Sequence, residues 1–485
     1  MSDPRDMLRR VVVAGDGQVG ALTALALRKA LPATEIFVLG TPPNPAAFAD
    51  RAATALPFSN RLHDKFGISE EDLVRRTGAS HRLVTRYAGW GGTEHQGFAS
   101  YGEAHNRPNT ARFASDWGGG ARDTGGEAPA GSLAEVLAKS GKFAPPSGEP
   151  GNPLAEIDYA LRWNMPAYRE VLVGMAQQAG IQYARGQITD VQPDGAGGVS
   201  ALFIDGANAL PADLFIDCTG PQASILSRLA GAMRDDWSAM LPVRAVLFGK
   251  PGDPVVSLED RVTLTAAGWR ADVAGRDGKT SLLAMPEGVE EQAMLTALDV
   301  EPEGIVALQP GCAGNAWLGN VIALGDAVAH FEPLGWLNLD LAHRHLALLL
   351  EMLPGLTIDP RERDEFNRRT RLMVERSRDV VASHYSAPSA ASVFGELQQS
   401  DELSAALDQY QRRGRIPFYE EMPLMAAEWS SLLSAIGHPP GKGLLAHTTD
   451  ESAEAATAAA FEAKSDAALR AAPPYPAWLE HVLKA

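Results

Sequence analysis

Residues 10–39 constrain this chain more tightly than any other stretch. Val11, Val12 and Val13 form a β-branched run suited to a buried strand, and Gly15-Asp16-Gly17-Gln18-Val19-Gly20 follows at once. Helical periodicity then runs from Ala21 to Ala30, and Ile36-Phe37-Val38-Leu39 supplies a second buried strand. A turn that cradles phosphate needs a first glycine for its tight backbone and a second so that main chain can approach the anion. A third lets helix and strand pack closely, leaving the helix N-terminus aimed at the ligand. Glycines 15, 17 and 20 meet these demands in the required strand–turn–helix context, so Gly15, Gly17, Gln18, Val19 and Gly20 read as a dinucleotide cradle. One part of the pattern is missing. An acidic residue usually ends the second strand and binds the ribose hydroxyls, but here the strand ends Val38-Leu39-Gly40-Thr41.

Two later segments decide between nucleotides. Asp213-Leu214-Phe215-Ile216-Asp217-Cys218-Thr219-Gly220 is a strand returning to the nucleotide face, and Val321-Ile322-Ala323-Leu324-Gly325-Asp326-Ala327 is a buried strand ending in a Gly-Asp turn into a helix. A turn of the second kind sets an Asp against a ribityl chain. The three segments in this order favour FAD over NAD, with Thr219, Gly220, Gly325 and Asp326 joining the cofactor residues. An NAD-linked enzyme is the minor alternative.

The rest of the chain fits a globular α/β protein. With 485 residues, 45% hydrophobic, it exceeds one small domain. A net charge of −17 repels phosphate backbones and anionic membranes, so nucleic acid and membrane are not expected partners. Two cysteines argue against a disulfide framework or a cysteine-built metal site, and no metal is expected. The polar N-terminus MSDPRDMLRR carries no signal peptide, which leaves a cytoplasmic setting as the simplest expectation. Residues 60–90 read as helical and charged. Residues 90–153 are crowded with Gly, Pro and Ser, too long for a plain connection, and read as a lid or a partly mobile segment. The expected organisation is a doubly wound, Rossmann-like FAD domain over 8–55, 155–235 and 312–355. A substrate-side domain over 56–154 and 236–311 is interleaved with it, and a helical C-terminal region covers 356–485.

These segments, together with several others, resemble the flavin-dependent tryptophan halogenases over roughly residues 10–445. Leu56-Pro57 to Phe66-Gly67-Ile68, Arg75 to Ser80 continuing to Tyr87-Ala88-Gly89-Trp90, the helix Ser377 to His384-Tyr385, and Ala427-Glu428-Trp429 followed by Gly437-His438-Pro439 all look like family segments. The resemblance implies FAD reduced by a separate flavin reductase. Oxygen and chloride then give hypochlorous acid, which a lysine delivers to an aromatic carbon with a glutamate assisting. It also implies a small aromatic or peptide-like substrate; oligomeric state is open, with a homodimer among the options.

The chain departs from that pattern at the chemistry. Arg82 falls where the family has its lysine, and a guanidinium stays protonated where an amine can lose its proton. Gly335 replaces the glutamate, and Trp336-Leu337-Asn338 replaces the Ser-Thr-Gly halide turn; Leu337 and Asn338 are assigned to the cofactor. Trp269-Arg270-Ala271-Asp272-Val273-Ala274 keeps only the first Trp of the family's Trp-x-Trp-x-Ile-Pro, and Arg51-Ala52-Ala53-Thr54 replaces a small-residue-plus-glutamate turn. Arg82, His330 and Glu332 are the catalytic candidates, and His95, Trp269 and Trp336 the substrate candidates, each weighed against a packing or capping role. Trp90, Trp163, Trp269 and Trp336 suit either an aromatic wall or a core. His343 and His345, at i and i+2, are not a metal pair, and no G-x-S-x-G elbow supports a hydrolase. The expected function is an FAD-dependent oxidoreductase of the halogenase superfamily, halogenating or inserting oxygen. A non-catalytic flavoprotein or interaction partner is the alternative.

Overall fold

A computed structural model describes residues 7–102, 131–147, 149, 151–155, 157–441 and 451–484. Its organising element is a six-stranded sheet. From one edge the order is Trp317–Leu318, Val321–Ala323, Leu214–Asp217, Arg10–Ala14, Glu35–Gly40 and Gln182–Arg185. All pairings are parallel except that of the Trp317–Leu318 edge. Val11, Val12 and Val13 are fully buried, because helices cover a parallel sheet on its faces and leave no polar side to alternate with. The helix Gln18–Ala30 packs against Met165–Gln178 and Leu337–Glu351.

Register places the site. Ala14 lies opposite Asp217 on one side and Leu39 on the other, and Asp217 lies opposite Ala323. Three strands therefore end level, and the turns that follow them, at 15–20, 218–220 and 324–326, open on the same edge. That is the crevice in which open α/β sheets bind ligands.

A second sheet of seven strands takes Val84–Ala88 and Gln96–Ser100 from the first part of the chain. Its other strands are Ala245–Gly249, Glu259–Thr265, Gly268–Val273, Thr280–Met285 and Pro302–Ala307. Here the structure corrects the reading of 60–90 as helical throughout. Helices Phe58–Phe66 and Glu70–Arg76 give way to strands Ser80–Arg82 and Val84–Ala88. Leu83, Val84 and Tyr87 are buried, and tertiary pairing with Ala160–Arg162 and Glu259–Thr265 overrides the local pattern. Of the Gly/Pro-rich lid read over 90–153, residues 103–130 lie outside the described residues.

Beyond Pro360 the described chain is mainly helical. The 26-residue helix Pro360–Tyr385 starts with Pro at its first turn and Asp359 as cap, whose Oδ1 accepts from Arg361 N at 2.9 Å. The terminal helix Tyr475–Lys484 is tied back to the body, since His81 N donates to the Tyr475 hydroxyl at 2.7 Å. Among the described residues no helix is long and apolar enough to cross a membrane, and no cluster of His, Cys, Asp and Glu is suited to a metal ion.

Candidate nucleotide site and its flanking cavities

The turn after the first strand is built on close backbone approach. A Cβ on Gly15 would collide with the Cys218 carbonyl, and one on Gly20 with the Gly15 carbonyl. Gly15 N donates to Leu39 O and Cys218 N to Ala14 O, locking the turn to both neighbouring strands. The side chain of Gln18 points away from solvent and ties other segments together. Its amide donates to the carbonyls of Ala49 (2.6 Å) and Ala52 (2.9 Å), and its oxygen accepts from the Trp163 indole at 3.1 Å. The missing acid after the second strand has a counterpart in space. The Asp16 carboxylate stands beside Gly40, paired with Arg169 and accepting a hydrogen bond from the Tyr183 hydroxyl.

At the other end of the crevice lies the turn Gly325–Ala327. Gly325 has φ +60°, and its N–H donates to Nδ1 of the buried His345 at 3.2 Å. Asp326 Oδ2 accepts from Ala49 N at 2.7 Å while Oδ1 has no partner. Burial pushes its carboxyl up to about 8, against the Ala49 hydrogen bond. His330 Nε2 donates to Ala46 O at 2.8 Å and its ring stacks on Phe48; burial lowers it to about 4 and keeps it neutral. Thr219 and Gly220 close the third side, with the Thr219 hydroxyl donating to Asp217 Oδ1 at 2.7 Å and Gly220 facing Ala47. Leu337 and Asn338 open the next helix, and the Asn338 amide donates to Phe331 O at 2.9 Å.

The other two catalytic candidates, Arg82 and Glu332, occupy separate buried places. Arg82 is fully buried between strands. Its Nη2 donates to Ala55 O at 2.8 Å, its Nη1 lies 3.5 Å from Asp260 Oδ2, and Arg162 holds the other oxygen of Asp260 at 3.0 Å. Nε and Nη1 of Arg82 have no hydrogen-bond acceptor. Glu332 belongs to another group. The Tyr385 hydroxyl donates to its Oε1 at 2.6 Å and receives the Trp269 indole N–H at 3.1 Å. Burial pushes the Glu332 carboxyl up to about 7, opposed by the Tyr385 bond, and its Oε2 is unpartnered.

Two cavities flank residues 51–58. One, of about 500 Å³, is lined by Arg51, Ala53, Trp163, Phe248, Val273 and Trp336. The other, of about 520 Å³, is lined by Leu56, Phe58, Arg61, Phe418, Glu428 and Trp429 among others. Trp336 and Trp163 thus line the same cavity. Trp336 adopts φ +63°, a strained conformation for a large side chain, and its Nε1 is buried without a partner. Trp269 and Trp90 are fully buried and line neither cavity; Trp90 packs on His384. His95 lies before the strand Gln96–Ser100 with Nε2 donating to Ala435 O at 3.1 Å, and it too lines neither.

The match to known proteins now decides the family: residues 10–455 fit tryptophan halogenase. The chain belongs to the tryptophan halogenase family. It is 25% identical over 447 residues to tryptophan 7-halogenase KtzQ of Kutzneria sp. (strain 744), covering 84% of this chain and 82% of that one. To tryptophan 7-halogenase RebH of Lentzea aerocolonigenes it is 22% identical over 442 residues, 83% and 81% of the two chains. In fold it is similar to BrvH, a flavin-dependent halogenase from Brevundimonas sp. BAL3 (TM-score 0.86, 23% identity, 98% of this chain and 99% of that one). The flavin-dependent halogenase Xcc4156 from Xanthomonas campestris gives TM-score 0.86 at 22% identity, covering 98% of each chain.

The family uses FAD reduced by a separate flavin reductase. The residues here fit that group in the glycine cradle, in the level strand ends and in the free Oδ1 of Asp326. One side chain stands in the way. Asp50 Oδ1 accepts from Val19 N at 3.0 Å, and a Cβ on Gly17 would collide with the Asp50 carboxyl, so a carboxylate lies where the cradle would meet phosphate. Desolvation pushes Asp50 up to about 6, against the Val19 hydrogen bond. Asp50 was not singled out in the sequence, and His345 and Tyr385, noted there for other reasons, join the site only through their contacts with Gly325 and Glu332. Asp50 sits one residue before the Arg51–Thr54 departure, which was the only signal.

Proposed function

We propose that this chain is an FAD-dependent oxidoreductase that halogenates or oxygenates an aromatic substrate, working with reduced flavin from a separate reductase. The observation that carries this reading is the convergence of the Gly15–Gly20, Thr219-Gly220 and Gly325-Asp326 turns on one crevice, in a chain of the halogenase family. In this reading Gly15, Gly17, Gln18, Val19 and Gly20 hold the phosphates and Asp326 a ribityl hydroxyl, with Leu337 and Asn338 near the ring. Bound FAD supplies oxygen activation and, through it, oxidised halide. The chain's own residues bind and orient. The substrate takes the cavity beside Leu56 and Phe58, the flavin ring the one beside Trp336, and residues 51–58 divide them. Arg82 offers fixed N–H donors, and Glu332, near 7, holds or releases a proton at Oε2 close to neutral pH. The division into an FAD domain over 8–55, 155–235 and 312–355, a substrate-side domain and a helical C-terminal region belongs to the same proposal. So does a cytoplasmic setting, supported by two buried free thiols, Cys218 and Cys312.

A second reading, a flavoprotein without halogenase chemistry, is favoured by Arg82 being held by Asp260 and by Trp336 standing in the halide turn. One experiment separates them. Protein, flavin reductase, NADH, FAD, oxygen and bromide are incubated with free and peptide-borne indoles, and products are weighed by mass spectrometry. Brominated or oxygenated product above the reductase-only control supports the first reading; bound flavin with no product supports the second.

A further inference from the structure

We infer that Asp50 is an internal stand-in for phosphate, so that the free protein keeps its own dinucleotide cradle closed and admits FAD only by displacing residues 46–52. The inference rests on reading Gly15–Gly20 as the phosphate cradle. The helix Gln18–Ala30 has no acidic residue in its first turn, and its cap, Gly17, has no side chain. Its N-terminus therefore presents unsatisfied N–H groups and the positive end of its dipole, with nothing local to meet them. Asp50, 31 positions away from Val19, meets one of them, Val19 N, at 3.0 Å.

The carboxylate does not act alone. Arg51 and Phe48 anchor the segment on Glu303 and Phe248, but its main-chain ties use groups on the floor of the same crevice. Gln18 grips the Ala49 and Ala52 carbonyls, Asp326 Oδ2 takes the Ala49 N–H, His330 holds Ala46 O, and Ala47 covers Gly220. A dinucleotide lying from the cradle to Asp326 needs those same groups, and its phosphates cannot share Val19 N with a second anion. Occupancy of the crevice by the segment and by FAD are thus alternatives. One movement of 46–52 releases both the cradle and Asp326.

The test compares wild type with Asp50→Asn, which keeps the shape and removes the charge, and with Asp50→Ala. FAD dissociation constants are read from flavin fluorescence, and hydrogen exchange is followed at Val19 and across 46–52 with and without FAD. The expected result is FAD binding that is roughly tenfold or more tighter in both variants, faster exchange at Val19 in free Asp50→Ala, and FAD-induced exchange across 46–52 in wild type. Equal FAD affinity in all three proteins overturns the inference and leaves the flavin reading standing. No FAD binding by any of them overturns both. If a variant fails to fold, wild-type exchange still decides: protection across 46–52 that FAD leaves unchanged overturns the inference.

Discussion

Tyr385 and Glu332, 53 positions apart, are joined by a hydrogen bond of 2.6 Å in which the phenol donates to the carboxyl oxygen. The bond stabilises the charged form of a carboxyl that burial pushes the other way. Tyr385→Phe removes the donor to Glu332 Oε1 and the acceptor of the Trp269 indole N–H, leaving both buried groups without that partner. The expected loss is about 1–3 kcal/mol in denaturant unfolding, with a Glu332 titration moved upward in difference infrared spectra. An unchanged titration would mean that the phenol does not set the state of Glu332.

Stability should peak near neutral pH. Burial pushes Glu332 up to about 7 and Asp326 up to about 8, so the folded protein keeps protons that unfolded carboxyls release near pH 4. The stability these acids contribute is full at low pH and drains away as pH rises towards 8. The histidines run the other way. Burial lowers His330 and His384 to about 4, and His343 and His345 to about 3, so below 6.5 the unfolded chain takes up protons that the folded one refuses. Melting temperature is expected to be highest between about pH 6 and 7. In Glu332→Gln the fall on the alkaline side should shrink by on the order of 1 kcal/mol or more; an identical alkaline limb would remove Glu332 from this account.

His345 supports the Gly325-Asp326 turn by accepting the Gly325 N–H in a fully buried place. His345→Leu keeps the volume and orphans that N–H. A loss of about 1–3 kcal/mol is expected, with FAD binding weakened because Asp326 sits on the same turn. Thermal melts and flavin titration of the same preparation check both parts.

The cradle was legible in the sequence because its demands are local. Glycines 15, 17 and 20 are forced by backbone contacts within one strand–turn–helix unit, and the Gly325-Asp326 turn follows its strand directly. The strands at 80–88 were not legible: Ser80–Arg82 pairs with Ala160–Arg162, and Val84–Ala88, beside its local partner Gln96–Ser100, pairs with Glu259–Thr265 far along the chain. The same holds for the residues that complete the site. Asp50 reaches Val19, Gln18 reaches Trp163, and Tyr385 links Trp269 to Glu332 only after the chain has folded, and no periodicity or motif announces such a pair. Arg82 was visible as a departure from the family, but its ion pair with Asp260 was not.

That ion pair is a three-member group with one acid between two bases. Asp260 faces Arg82 at 3.5 Å and Arg162 at 3.0 Å, all three almost fully buried. Asp260→Asn leaves two guanidiniums without a counter-charge, and removing one partner of a buried pair costs about 3–5 kcal/mol. The variant is expected to be among the least stable single substitutions in this chain, read by urea unfolding at neutral pH.

The same geometry predicts how Arg82→Lys behaves. The family resemblance implies a lysine that carries halogen as a free amine, and such a role requires a site which disfavours its ammonium form. At position 82 the ammonium would instead face Asp260, which favours the charged form, while Ala55 O loses the donor it has now. Restoring the family's residue type here therefore does not restore its chemistry. Arg82→Lys alone is expected to give no more brominated indole than wild type, and to lose about 1–2 kcal/mol from the poorer match of one ammonium to two acceptors. The informative partner is Gly335→Glu, since Gly335 lies in the turn before Trp336 and its φ of +69° makes any side chain there strained. A clear gain of brominated product from Arg82→Lys by itself would show that Asp260 does not hold the amine, and would return the halide-transfer role to this position.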